Sequence, residues 1–243
     1  SLPLRIFPMT LLKLLSWVSL LIFVWWLVTS SYLGIITPPS EGDSLFIHIP
    51  AAHRILEGSI FNLDFTKDLF YPSAIELFLA LFIFLHIPLG LFNIAGVILL
   101  AVASYVLGKE VLKQREYAIL FAVSVSLLHG IIRWSLTQKP DIIMTGMLAL
   151  ILWIVVKKRR RIFDYFLLGI FCAFFVGAKF NGPLFLVVIL FPFYKVFRKE
   201  LSFKRIIFFS IPFLLIGCSW YIRNLFLTGD PFYFPDYSHI VSQ

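Results

Sequence analysis

Polar side chains that can do chemistry gather at the ends of long apolar runs: Asp43, Glu76, Arg133, Lys139, Asp141, Lys179, Asn181, Arg223 and Asn224. Ionisable groups beside an apolar barrier are expensive and default to a functional reading. Carboxylates so placed act as general bases or as oxygen ligands of a divalent cation. Ammonium and guanidinium groups hold phosphate oxygens. Taken singly, each is as readily an interfacial anchor whose stem lies along apolar surface. Asp43 also has a structural reading, because it precedes Ser44, a candidate N-cap, and a carboxylate there gains from the positive end of a helix. The case for chemistry rests on several element ends delivering both signs of charge to one surface.

The elements that must position these residues are membrane helices. Of 243 residues, 60% are hydrophobic, 18% aromatic and 14% charged, with a mean hydropathy of +0.94. A water-soluble domain has about 45–50% apolar and 25% charged residues, so soluble, disordered and collagen-like classes are excluded. Cys172 and Cys218 both sit in apolar runs and form neither a disulfide framework nor a CxxC pair. A crossing helix needs about 20 apolar residues. Seven candidate spans follow, at 10–33, 91–108, 117–133, 141–156, 162–178, 183–197 and 206–222. The first is too long for a cleavable signal and has no small-residue cleavage site after it.

The net charge of +8 is a topology signal. Three basic loops, at 109–116, 157–161 and 195–205, belong on the cytoplasmic side. They share a side only if the apolar stretch 72–90 does not cross. That stretch is therefore expected to be a broken, interfacial or re-entrant helix ended by Pro88 and Gly90. The N-terminus lies inside, 223–243 outside, and the first outer loop covers 34–90. With the basic residues so placed, no nucleic-acid partner is implied, and membrane lipids are the expected surroundings. No internal transporter-type repeat is present.

The first outer loop opens with the turn TPPSEGD, in which paired prolines and Gly42 stop the preceding helix. Residues 44–58 then read as a short amphipathic helix with Leu45, Ile49, Ala52 and Leu56 on one stripe. His48 is expected to pack or position rather than bind metal. His53, His86, His129 and His239 have no partner at ligand spacing, and structural zinc is not indicated. Trp25, Trp26, Trp134, Trp220 and Tyr221 are expected near the outer boundary as an interfacial belt.

Five segments carry a likeness to a known family: GDSLFIHIPAAHRILEGS (42–59), FYPSAIELFLAL (70–81), KPDIIMTGMLAL (139–150), GAKFNGPLFLVV (177–188) and SWYIRNLFLTGDPFYFP (219–235). In order and spacing they resemble the GT-C superfamily of integral-membrane glycosyltransferases, within it the bacterial protein O-mannosyltransferase-like and aminoarabinose-transferase-like group. The resemblance implies one GT-C module over 1–243, all-α, with about seven transmembrane helices and a first outer loop bearing an amphipathic helix. It implies an enzyme of the cell envelope, in a bacterial or archaeal membrane. Such an enzyme moves a sugar from a polyprenyl-phosphate carrier to a lipid, glycan or protein acceptor on the non-cytoplasmic side, with inversion. Asp43 matches the first-loop catalytic base, Asp141 a second acidic position and Glu76, after Tyr71, an active-site loop residue. Lys179 and Arg223 match positions near the carrier phosphate, with His48, Tyr71, Lys139 and Arg133 as further substrate contacts.

No cofactor is required, although Asp43 and Asp141 are the candidate ligands if a divalent ion is used. The chain departs from the family in having Ser44 where a second acid would stand, in carrying Asp230 for the Asn of a GNP turn, and in stopping at Gln243. Relatives continue with further spans or a soluble domain. With Ser1 in place of an initiator Met, this allows the chain to be a piece of a longer protein. Two rival readings remain at this point, a lipid-linked-sugar transporter and a catalytically silent scaffold.

Overall fold

A computed structural model describes residues 8–59, 72–194, 198, 200 and 202–232. Among them the chain is entirely helical, with no strand. The helices are α1 (Met9–Ile36), α2 (Ile49–Leu56), α3 (Glu76–Phe84), α4 (Phe92–Leu112), α5 (Arg115–Ser126), α6 (His129–Trp134), α7 (Asp141–Val156), α8 (Ile162–Val176), α9 (Gly182–Leu190), α10 (Phe203–Pro212) and α11 (Ser219–Thr228). Three helical stretches are long and apolar enough to cross a membrane: Met9–Ile36, Leu89–Leu112 and Phe203–Thr228. The shorter apolar helices are Asp141–Val156, Ile162–Val176 and Gly182–Phe193. α1 leaves Leu14, Trp17, Leu21, Trp25 and Val28 exposed. An apolar face of that extent needs an apolar solvent.

The expected span 117–133 is not one helix. α5 ends at Ser126, and Leu128, with φ −58° and ψ 140°, starts α6 afresh. Twelve residues of α5 rise only about 18 Å, short of the roughly 30 Å hydrocarbon layer. The stretch 72–90 does contain a short helix, α3, which stops before His86 (φ 53°) and Pro88. Of the third basic loop, residues 195–197, 199 and 201 lie outside the described residues, as do Tyr71 and His239.

The chain divides into two compact units. The first lies within Ser1–Ser44 and His86–Arg160. Its core joins Phe23 of α1, Val97 and Leu100 of α4, Val123 of α5 and Ile142 of α7, with Trp26 and Trp134 packed against it. At Gly96 an added Cβ would meet Ile143, and at Gly146 it would meet Leu99, so α4 and α7 run side by side in the same direction. α1 returns the opposite way, and its Gly34 approaches Gly90 so closely that a Cβ on Gly34 would lie 2.7 Å from the Gly90 carbonyl oxygen. Only small residues permit such backbone contact. The basic segments 109–116 and 157–160 therefore share one end of this unit. One of their cations is structural: buried Arg160 donates to the carbonyls of Ile154 and Val155 at the end of α7.

The second unit lies within Leu45–Leu85 and Arg161–Gln243. α2 packs on α3, α8 packs on α10, and α9 lies against α8. The Phe78 and Phe174 rings meet with centroids 4.8 Å apart. Ala74 N–H donates to the Gly177 carbonyl at 2.8 Å. Pro212 has no N–H for the helical ladder, and the wide turn Phe213–Cys218 that follows lets α10 continue into α11.

Candidate active site

The turn after α1 carries two carboxylates, and one lysine binds both. Lys139 Nζ lies 2.7 Å from Asp43 Oδ2 and 3.0 Å from Glu41 Oε1. It also sits 4.4 Å from the centre of the Trp134 ring. Its side chain is 16% exposed, whereas that of Asp43 is 55% exposed. Asp43 thus presents a charged oxygen to the outside while its partner is largely enclosed.

A buried polar network holds this arrangement. Asn93, in the first turn of α4 and fully buried, donates through Nδ2 to the carbonyls of Trp134 (3.2 Å) and Lys139 (2.9 Å) and to Thr137 Oγ1 (3.3 Å). Gln138 N–H donates to Ser44 Oγ at 3.0 Å, and Ser44 Oγ donates in turn to Glu41 Oε2 at 3.0 Å. Gln138 Nε2 reaches the Leu89 carbonyl at 3.1 Å. Segment 134–139 is thereby tied both to the start of α4 and to the acidic turn.

The helix start is capped by Glu41, not by Asp43 or Ser44. Glu41 Oε2 accepts the Ser44 N–H at 2.9 Å, the cap-to-third-residue spacing, leaving the Asp43 carboxylate for Lys139. Partial burial pushes the Glu41 carboxyl up. Hydrogen bonds from Lys139, from Ser44 backbone and side chain and from Asp43 N–H outweigh it and hold the group at about 2. Burial likewise pulls Lys139 down, and the two carboxylates outweigh that and raise it above the ordinary lysine value.

The helical stripe after Asp43 also differs from expectation. Leu45 and Leu56 are exposed, and Ser44, His48 and Ala52 form the buried face. Pro50 supplies no N–H to the Phe46 carbonyl, and the chain opens into a wide turn over Ser44–His48 before α2 begins. The extra residue per turn shifts the face.

Other expected site residues fall as follows. Arg133 is exposed and lies 4.9 Å from the centre of the Trp134 ring. Asp141 is exposed at the first position of α7, where a helix start favours negative charge. In the second unit, His48 Nδ1 lies 2.6 Å from Glu76 Oε1, with both side chains buried. Glu76 Oε2 has no hydrogen-bond partner among the described residues. The Tyr221 hydroxyl donates to the carbonyls of Val176 (2.8 Å) and Lys179 (3.3 Å). This ties α11, which carries Arg223, to the segment carrying Lys179.

Arg223 is buried and donates through Nε and Nη2 to Asn224 Oδ1 at 3.2 and 2.8 Å. The string after it is a chain-reversal device. Gly229 (φ 79°) ends α11, and Asp230 Oδ1 accepts the Phe232 N–H at 2.9 Å. Trp220 and Tyr221 are buried. No group of three or more His, Cys, Asp or Glu side chains suited to a metal occurs among the described residues. Lys139 already supplies positive charge between Asp43 and Glu41, and no step is routed through a metal.

Glu41, Asn93, Thr137 and Gln138 were not legible as site residues. Glu41 had one signal, an acid three residues before Ser44. Asn93 had another, a lone amide in an apolar helix.

All-helical architecture and membrane-length apolar helices define a membrane protein. The chain belongs to the family described as Domain of unknown function (DUF8201), which matches residues 60–237. No curated protein and no solved structure shows significant similarity to it.

Proposed function

We propose that the protein is an integral-membrane glycosyltransferase that moves a sugar from a polyprenyl-phosphate carrier to an acceptor hydroxyl on the non-cytoplasmic face. One observation carries the reading: an exposed Asp43 carboxylate held 2.7 Å from the enclosed Lys139, at the end of its unit opposite the basic segments. The length of α4, 21 residues or about 31 Å, separates the two. In the GT-C resemblance Asp43 is the base. Full topology under this reading is seven crossings with the N-terminus cytoplasmic, the span 117–133 crossing as the broken pair α5 and α6.

The reaction balances simply. Asp43 takes the proton of the acceptor hydroxyl as its oxygen bonds to the anomeric carbon. The bond from that carbon to the phosphate oxygen breaks on the opposite side, inverting configuration, and polyprenyl phosphate leaves with the electron pair. Lys139, engaged by two carboxylates and an indole, positions Asp43. Arg133 has no carboxylate partner among the described residues and offers positive charge to phosphate. Glu76, buried against His48, acts as a positioning residue for the first outer loop.

The test is Asp43→Asn in membranes supplied with labelled polyprenyl-phosphate sugars. Because Glu41 is the cap and still holds Lys139, the chain folds and inserts despite losing one ion pair, and transfer falls about 10²- to 10⁴-fold. Transfer above roughly a tenth of wild type, well outside that range, removes Asp43 as the base. Carrier movement without glycosyl product from either form establishes a transporter instead.

A further inference from the structure

A cleft of about 330 Å³ opens between the starts of α1 and α5, lined by Lys13, Ser16, Trp17, Arg115, Glu116 and Ile119. It lies at the basic end of the first unit, away from Asp43. Lys13 and Arg115 are exposed and have no carboxylate partner among the described residues. We propose that this cleft binds the headgroup of an anionic phosphodiester lipid, of the phosphatidylglycerol type.

Three observations define the occupant. Two cations from different helices converge on one concavity, and paired cations hold phosphate oxygens. Glu116 brings the lining to a net single positive charge, which matches a phosphodiester better than a doubly charged phosphomonoester, and its carboxylate can accept headgroup hydroxyls. Above the cleft, Leu14, Trp17, Leu21, Trp25 and Val28 recur at helical spacing on the exposed side of α1. A headgroup held by Lys13 and Arg115 would lay its acyl chains along that stripe. The inference rests on the membrane reading alone and is independent of sugar transfer.

The experiment is thermal melting and native mass spectrometry of the purified full chain in a neutral detergent, titrated with phosphatidylglycerol, phosphatidylethanolamine, phosphatidylcholine or inorganic phosphate. Phosphatidylglycerol is expected to raise the melting temperature and remain bound. In Lys13→Gln/Arg115→Gln its apparent affinity drops about tenfold or more, as loss of charge-assisted contacts predicts. Lys158→Gln/Arg159→Gln, with the same loss of charge elsewhere on that end, keeps wild-type binding. Glu116→Gln raises the lining charge and extends binding to phosphatidic acid, a gain that needs no destabilised variant. Equal loss in both double variants means general electrostatics and overturns the site. An equal response to phosphatidylethanolamine or phosphatidylcholine overturns the anionic preference. An equal response to inorganic phosphate overturns the lipid, leaving a plain anion site.

Discussion

Lys139 reaches across 96 positions of sequence to Asp43, Nζ to Oδ2 at 2.7 Å, while the same ammonium binds Glu41 at 3.0 Å. The pair joins the turn after the first helix to the segment before α7 and sets where the exposed carboxylate points. Lys139→Met would leave two neighbouring carboxylates without their cation. Loss of hydrogen bonds to charged groups predicts about 1.5–3 kcal/mol of destabilisation, measured by denaturant or thermal unfolding in detergent. Asp43→Asn/Lys139→Met should lose less stability than the sum of the single variants, because the two side chains act on each other.

The acidic turn also predicts a pH dependence. Glu41 falls from an ordinary 4.5 to about 2 in the folded protein, so its contribution to stability is complete above 4.5. It is lost progressively as pH falls toward 2. Lys139 is raised from 10.5, so its contribution is complete below that value and is lost as pH rises through the raised one. Melting temperature is therefore expected to be level in this respect near neutrality and to fall on acidification below 4.5. Glu41→Gln should flatten the acid limb, and an unchanged acid limb in that variant would assign the loss to other carboxylates.

The buried contact between His48 and Glu76 tests another part of the fold. His48→Phe removes one partner and leaves a buried carboxylate, at a cost of about 3–5 kcal/mol. His48→Phe/Glu76→Leu removes both polar groups together, so it should recover much of that loss. A double variant as unstable as His48→Phe would show that the pair does not act as a unit.

Packing in the second unit depends on Gly169. A Cβ there would meet the Phe209 carbonyl oxygen at 2.3 Å and Pro212 Cγ at 2.8 Å. Gly169→Ala must therefore push α8 and α10 apart, with an expected cost of about 1–3 kcal/mol, read from unfolding in detergent. Gly130→Ala, where a Cβ meets nothing within 4 Å among the described residues, is the matched control and should be near neutral.

Much of the architecture was legible from the order of residues because it depends on local composition. Apolar runs long enough to leave water must become helices, since only a helix satisfies its own backbone without solvent. Lys and Arg counts mark the loops, and the ends of α1, α4, α7 and α8 fall within a few residues of the expected boundaries. Asp43, Lys139 and Arg133 were legible as candidates because charges beside apolar runs are costly. Their grouping was not. The break at Leu128, the wide turn forced at Pro50 and the capping by Glu41 each depend on which hydrogen bond wins locally. The meeting of Asp43 with Lys139 depends on Asn93 and Gln138 binding one loop to two distant segments. Composition says which groups must be satisfied, but only the packed chain decides by which partners, because a hydrogen bond forms only where tertiary contacts bring donor and acceptor within about 3 Å.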